Sequence, residues 1–114
     1  MSTIPFSLPD INLGLTEING KIYLDEEFVV IDVETSLLGE FSQDQQIVKI
    51  EPNAIDEIRL DRGMIKDKLC IRPKKRELLK VMPGTHTAEL AMSIWRKYRD
   101  RAEQLVADVE ARIG

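Results

Sequence analysis

The chain is poor in the residues that carry out chemistry. Its 114 residues include one cysteine, Cys70, one histidine, His86, and one tryptophan, Trp95. A lone cysteine cannot close an internal disulfide, and Cys70, between Leu69 and Ile71, reads as a small buried or half-buried residue of a strand. That usage fits a reducing cytoplasm. One histidine and one cysteine in separate segments lack the spacing of a zinc site, and no Asp-x-Asp-x-Asp-Gly run offers a calcium loop, so neither metal nor cofactor is expected. His86 lies in Thr85-His86-Thr87, after Pro83-Gly84, with no nucleophile or orienting partner nominated beside it, and reads as a solvated loop residue. No apolar run approaches the roughly 18 residues of a membrane span, and Met1 to Asp10 has neither the basic nor the apolar region of a secretion signal. These absences point away from an enzyme and from membrane insertion, toward a cytoplasmic protein.

What is present is the composition of one folded domain. Hydrophobic residues make up 43% and charged residues 32% of the chain, enough apolar material for one core and too little length for two. Residues 1 to 15 hold Pro5, Pro9 and Gly14 without a helix or strand period; residues 1–17 are read as an N-terminal arm and 18–114 as the domain. Ile18 to Leu24, the acidic turn Asp25-Glu26-Glu27 and Phe28 to Leu38 suggest a hairpin, with Val29, Ile31 and Val33 alternating against Val30, Asp32 and Glu34. Ile47 to Ile50 and Ile55 to Asp61 follow as strands around Pro52-Asn53. Gly63 supplies a turn, and in Met64 to Arg72 Leu69 and Ile71 face one way while Lys68, Cys70 and Arg72 face the other. Pro73 stops that strand, and Arg76 to Met82 reads as a short helical turn or an irregular crossing.

The segment Ala88 to Trp95 fits two templates. With period two, Leu90, Met92 and Ile94 share a face; with period 3.6, Ala91, Ile94, Trp95 and Tyr98 run on into Ala102, Leu105, Val109 and Ile113. In either case the chain ends in an amphipathic helix, so the order of elements predicts a mainly β protein, a small barrel or sandwich closed by one C-terminal α-helix. Trp95 and Tyr98 are expected to pack into the barrel mouth, with Met64, Met82 and Met92 as gap-fillers.

Several stretches carry a resemblance. They are Gly20-Lys21-Ile22-Tyr23-Leu24 leading into Phe28-Val29-Val30-Ile31, Ile55 and Ile58 before Gly63, and Lys68-Leu69-Cys70-Ile71-Arg72. Pro83-Gly84, Glu89-Leu90, Arg96, Arg99 and the run Arg101 to Val106 continue it. Together they resemble the bacterial pleckstrin-homology-like (PH-like) domains, of which many have no known activity. The resemblance spans roughly Asn19 to Ile113 and implies a PH-like barrel of about seven antiparallel strands capped by the helix. It favours Glu89 to Trp95 as the last strand and about Tyr98 to Ile113 as the helix. These are framework positions and imply fold more than function. In eukaryotic relatives, phosphoinositide sites draw cations from the first two strands and the loop between them. Here that loop is Asp25-Glu26-Glu27, with Lys21 the lone cation nearby, and its carboxylates repel phosphate.

Charge is unevenly spread. Residues 1–58 carry 2 basic and 12 acidic side chains, residues 59–101 carry 13 and 5, and residues 102–114 carry 1 and 3, so the three stretches are net −10, +8 and −2. If early and late strands form different sheets, the molecule has two electrically distinct faces that steer a partner or self-associate. Arg72, Lys74, Lys75 and Arg76, with Lys80 nearby, are the candidate contact residues. A short basic run is also how a sheet edge is kept soluble. Lacking interleaved aromatics, it does not predict nucleic-acid binding. The expected ligand is protein, a second copy or a peptide added at a sheet edge or beside the C-terminal helix. The alternative is peripheral contact of the basic loop with an anionic membrane or a phosphorylated ligand.

Overall fold

The structure, a computed structural model, describes residues 3–8, 16–37, 43–79 and 89–113. Seven strands, β1 (Ile4–Ser7), β2 (Thr16–Leu24), β3 (Val29–Leu37), β4 (Gln43–Ile50), β5 (Ile55–Asp61), β6 (Lys66–Pro73) and β7 (Leu90–Trp95), precede one helix, α1 (Arg99–Glu110). All pair antiparallel in one sheet of order β4-β3-β2-β1-β7-β6-β5. The chain is therefore mainly β with one C-terminal α-helix, and Leu90–Trp95 is a strand. Among the described residues, no helix is long and apolar enough to cross a membrane.

Two hairpin-linked meanders make up the sheet. The first is β2-β3-β4, in which Ile22 lies opposite Ile31 and Ile31 opposite Val48. The second is β5-β6-β7, in which Ile58 lies opposite Ile71 and Ile71 opposite Leu90. They are joined through β1, which pairs with β2 along its length but with β7 only at Ser7 and Ser93. The sequence reading of an arm over residues 1–17 therefore needs correction: Ile4–Ser7 is a central strand, with Ile4 and Phe6 buried. Four residues are too few to display a convincing alternation, and Pro5 among them is a strand-disfavouring signal. Pro73, expected to stop β6, is its last residue.

The sheet cannot be flat. Its edge strands β4 and β5 are consecutive in the chain, joined only by Glu51–Ala54, three of whose residues form a 3-10 turn. Seven flat strands would set the edges roughly 29 Å apart at about 4.8 Å per gap, whereas five extended residue steps reach about 18 Å. The sheet must curl until its edges approach, and it encloses a core of inward-facing Ile, Val and Leu from every strand.

Helix α1 fills the open mouth of this curl. Ala102, Leu105 and Val109 are its buried residues, spaced at helical period, and Val106 and Ile113 pack partly against the same core. Gly20 also has a packing role. A Cβ there would lie 2.4 Å from the Asp32 carbonyl oxygen and 2.6 Å from the Phe6 ring, so the opposed Phe6 covers the space that glycine leaves. Leu105→Ala is expected to cost about 3 kcal/mol of unfolding free energy, the range for truncating a buried leucine, measurable by urea denaturation.

Candidate functional site

The outer face of β5-β6-β7 is a lattice of paired charges. Arg59 of β5 forks onto Glu89, with both nitrogen–oxygen distances 2.8 Å, and also reaches Glu57 at 3.5 Å and Asp61 at 3.3 Å. The Glu89 hydrogen bonds raise the Arg59 pKa, and Arg59 in turn holds the Glu89 carboxyl below the usual carboxylate range. Cys70 lies opposite Arg59 in the ladder, buried, its Sγ 3.9 Å from an Asp61 oxygen. Burial pushes its thiol pKa up, so the thiol is kept protonated and is a poor nucleophile.

The candidate contact residues are not equivalent. Arg72 is engaged: its Nε donates to Asp56 at 3.0 Å and its Nη2 lies 2.9 Å from Glu57. Lys74 and Lys75 follow the end of β6 with exposed side chains, and the Lys74 amide donates to the Ala54 carbonyl at 2.8 Å. Arg76 begins the 3-10 turn Arg76–Leu79, which packs against β4; its side chain lies outside the described residues, as do Lys80, Met82 and His86. The basic loop thus sits where the two sheet edges approach, and part of its charge is spent on Asp56 and Glu57.

Sequence reasoning missed one buried polar group. Asp67 is 0% exposed, and it accepts from Arg99 Nε at 2.7 Å, Arg99 Nη2 at 2.8 Å and the Gly63 amide at 2.9 Å. Arg99 Nη2 also donates to the Gly63 carbonyl at 3.1 Å. This cluster ties the first turn of α1 to the β5–β6 turn. Arg99 holds the Asp67 carboxyl down at about 2, with the Gly63 amide adding to the effect. The signal was its phase: Asp67 shares the inward side of β6 with Leu69 and Ile71.

Two residues assigned to packing are exposed instead. Met64 is 90% exposed, Ile65 71% and Trp95 51%. Met64 follows Gly63 in the β5–β6 turn, and Trp95 belongs to the outward side of β7, opposite the face of Leu90, Met92 and Ile94. Its aromatic size, not its register, suggested burial. Lys66 pairs with Trp95 in the ladder and sets its ammonium 4.3 Å from the indole centroid. Arg96 closes the group, its amide donating to the Ile65 carbonyl and its guanidinium to the Met64 carbonyl, both at 3.4 Å. Met92 and Tyr98 do pack against the core.

Concavities are shallow. A groove of about 500 Å³ runs between α1 and the β2–β3 turn, with Leu24 and Leu105 in its floor and Asp25, Glu26, Asp108, Arg101 and Arg112 around it. The acidic turn has a backbone role, because the Asp25 carboxylate accepts the amides of Glu27 at 2.9 Å and Phe28 at 3.0 Å, which lower its pKa. Among the described residues, no group of three or more His, Cys, Asp or Glu side chains is placed to hold a metal ion. No protein-family model, no curated protein and no solved structure matches the chain.

The depressed Asp67 pKa fixes the sign of a pH effect. An unfolded aspartate titrates near 3.9, so the pair contributes stability above about pH 5 that is lost as pH falls toward about 2. Asp67→Asn is expected to lower the neutral-pH Tm by on the order of 10 °C and to flatten the acid limb of a stability-versus-pH curve. Thermal melts of both proteins across that range measure the difference.

Proposed function

We propose that the chain is a PH-like interaction domain with no catalytic role, whose ligand is an acidic protein segment or a second copy of the chain added as a strand beside β4. The observation that carries this reading is the β4 edge. Among the described residues, β4 pairs only with β3, leaving one side of an eight-residue strand open to a further ladder. Gln45, Gln46, Ile47 and Lys49 are exposed along it, and Ile47, 56% exposed, offers an apolar contact beside the backbone hydrogen bonds.

The basic loop belongs to the same region. The Arg76–Leu79 turn packs against β4, and the loop before it carries Lys74 and Lys75, so an incoming segment meets cations at one end of the edge. Arg72, engaged by Asp56 and Glu57, contributes less than the two lysines. The seven-stranded antiparallel sheet with a C-terminal helix supports the PH-like assignment.

Edge pairing predicts protection of the β4 amides. Hydrogen exchange over residues 43–50 should slow as protein concentration rises, or on addition of an acidic β-forming peptide. The triple variant Ile47→Asp, Lys74→Glu, Lys75→Glu should abolish that slowing without lowering Tm. Exchange rates over 43–50 that ignore both concentration and peptide would remove the edge reading.

A further inference from the structure

We propose that the β5–β6 turn, with Trp95 beside it, is a membrane-seating tip that places this protein on an anionic lipid surface. This inference is independent of the β4 edge, and it concerns a different surface from the basic loop. Among the described residues, Met64, Ile65 and Trp95 are three of the four large hydrophobic residues found exposed, and the Lys66–Trp95 register and the Arg96 contacts gather them at one end of the sheet. Single exposed apolar residues are ordinary; two on a turn with a third at the strand end beside them form a surface for a partner.

Shape and charge specify that partner. The group sits on a turn and projects, with no enclosing walls, so it fits insertion into a soft interface better than seating by a rigid groove. Tryptophan prefers the headgroup level of a bilayer, and lysine stems lie along apolar surface while their ammonium groups stay at the lipid headgroups. Segments 61–68 and 95–99 carry Arg62, Lys66, Lys68, Arg96, Lys97 and Arg99 against Asp61 and Asp67, a net +4. Asp67 is buried and neutralised by Arg99, and Arg62 pairs with Glu103. Lys66, Lys68, Arg96 and Lys97 have no salt-bridge partner among the described residues and remain available to anionic headgroups.

The tip is also held stiff and held away from the acidic turn. Asp67 and Arg99 grip both the amide and the carbonyl of Gly63, so Met64 and Ile65 are presented from a fixed base. Just past the end of the helix that begins at this grip, Arg112 donates to the Glu26 carbonyl at 2.7 Å. The helix's 12 residues therefore separate the cationic tip from Asp25-Glu26-Glu27 by about 18 Å, more than a Debye length in physiological salt, so the acidic turn does not repel a membrane the tip has reached.

Trp95 is the only tryptophan and reports its own environment. The full chain would be titrated with vesicles of phosphatidylcholine alone and of phosphatidylcholine with an equal part of phosphatidylglycerol. With the anionic vesicles, Trp95 emission should shift to the blue and be quenched by brominated acyl chains, and added salt should weaken binding. M64D/I65D should lose about tenfold or more in vesicle affinity while keeping the wild-type circular dichroism spectrum, and K66E/K97E should lose a similar factor for anionic vesicles only. An emission spectrum unmoved by anionic vesicles overturns the proposal. So does binding that survives M64D/I65D, or a tip whose mutation changes oligomeric state but not vesicle binding, which would assign it to a protein contact.

Discussion

Four residues, Glu51 to Ala54, connect the two outermost strands of the sheet, and most of the architecture follows from that short link. Edges that must come close force the sheet to curl, and a curled sheet has a concave inside where alternate residues of every strand meet. This is why Ile22, Ile31, Ile55, Leu69, Ile71 and Ile94, on five different strands, are all essentially without solvent contact. The curl leaves an open mouth over the core, where α1 packs against β5 and β2. An amphipathic helix with three buried positions closes it, and its burial contributes more than helix propensity does at 12 residues.

The helix start has no side-chain cap: Tyr98 occupies the N-cap position without a capping hydrogen bond. Its place is set instead by Arg99 gripping Asp67 and Gly63 across the β5–β6 turn. Dehydrating two charges is costly, and an apolar pair of similar volume could match the stability. A hydrophobic substitute would not, however, fix direction: the paired hydrogen bonds of a guanidinium on a carboxylate set both the distance and the angle of approach. The ion pair thus orients the helix and the turn relative to one another, and the apolar core holds them together.

Strand alternation made most of the fold legible. Val29, Ile31 and Val33, or Leu90, Met92 and Ile94, have a period that sterics and burial enforce, and the structure keeps it. Where sequence and structure differ, phase along the strand decides the side and residue type does not. Trp95 and Met64 are apolar, but the alternation of β7 puts Trp95 outside and Gly63 puts Met64 in a turn. Asp67 is charged, yet its spacing from Leu69 and Ile71 puts it inside. β1 was illegible for a different reason: a four-residue strand containing proline acquires its identity from the partners it bridges, which are distant in sequence. The edge role of β4 is likewise topological and has no local signature.

Charge shows the same distinction between sequence and space. Counted along the chain, residues 59–101 form a basic block, but on the folded surface the guanidinium groups of Arg59 and Arg72 are matched by Glu57, Glu89, Asp56 and Asp61, along β5 and across the sheet. Paired charges on an exposed sheet contribute little net field and keep the face from aggregating. Among the described residues, cations without a salt-bridge partner include Lys66, Lys68, Arg96 and Lys97 around the β5–β6 turn and the start of α1, and Lys74 and Lys75 in the loop after β6. Unpaired cations thus lie at both ends of β6, by the start of α1 and beside the β4–β5 link, while the acidic turn Asp25-Glu26-Glu27 lies near the end of α1. A field built this way orients the molecule as it approaches a charged surface, and contact is then made by the turns, where backbone and side chains are free to meet a partner.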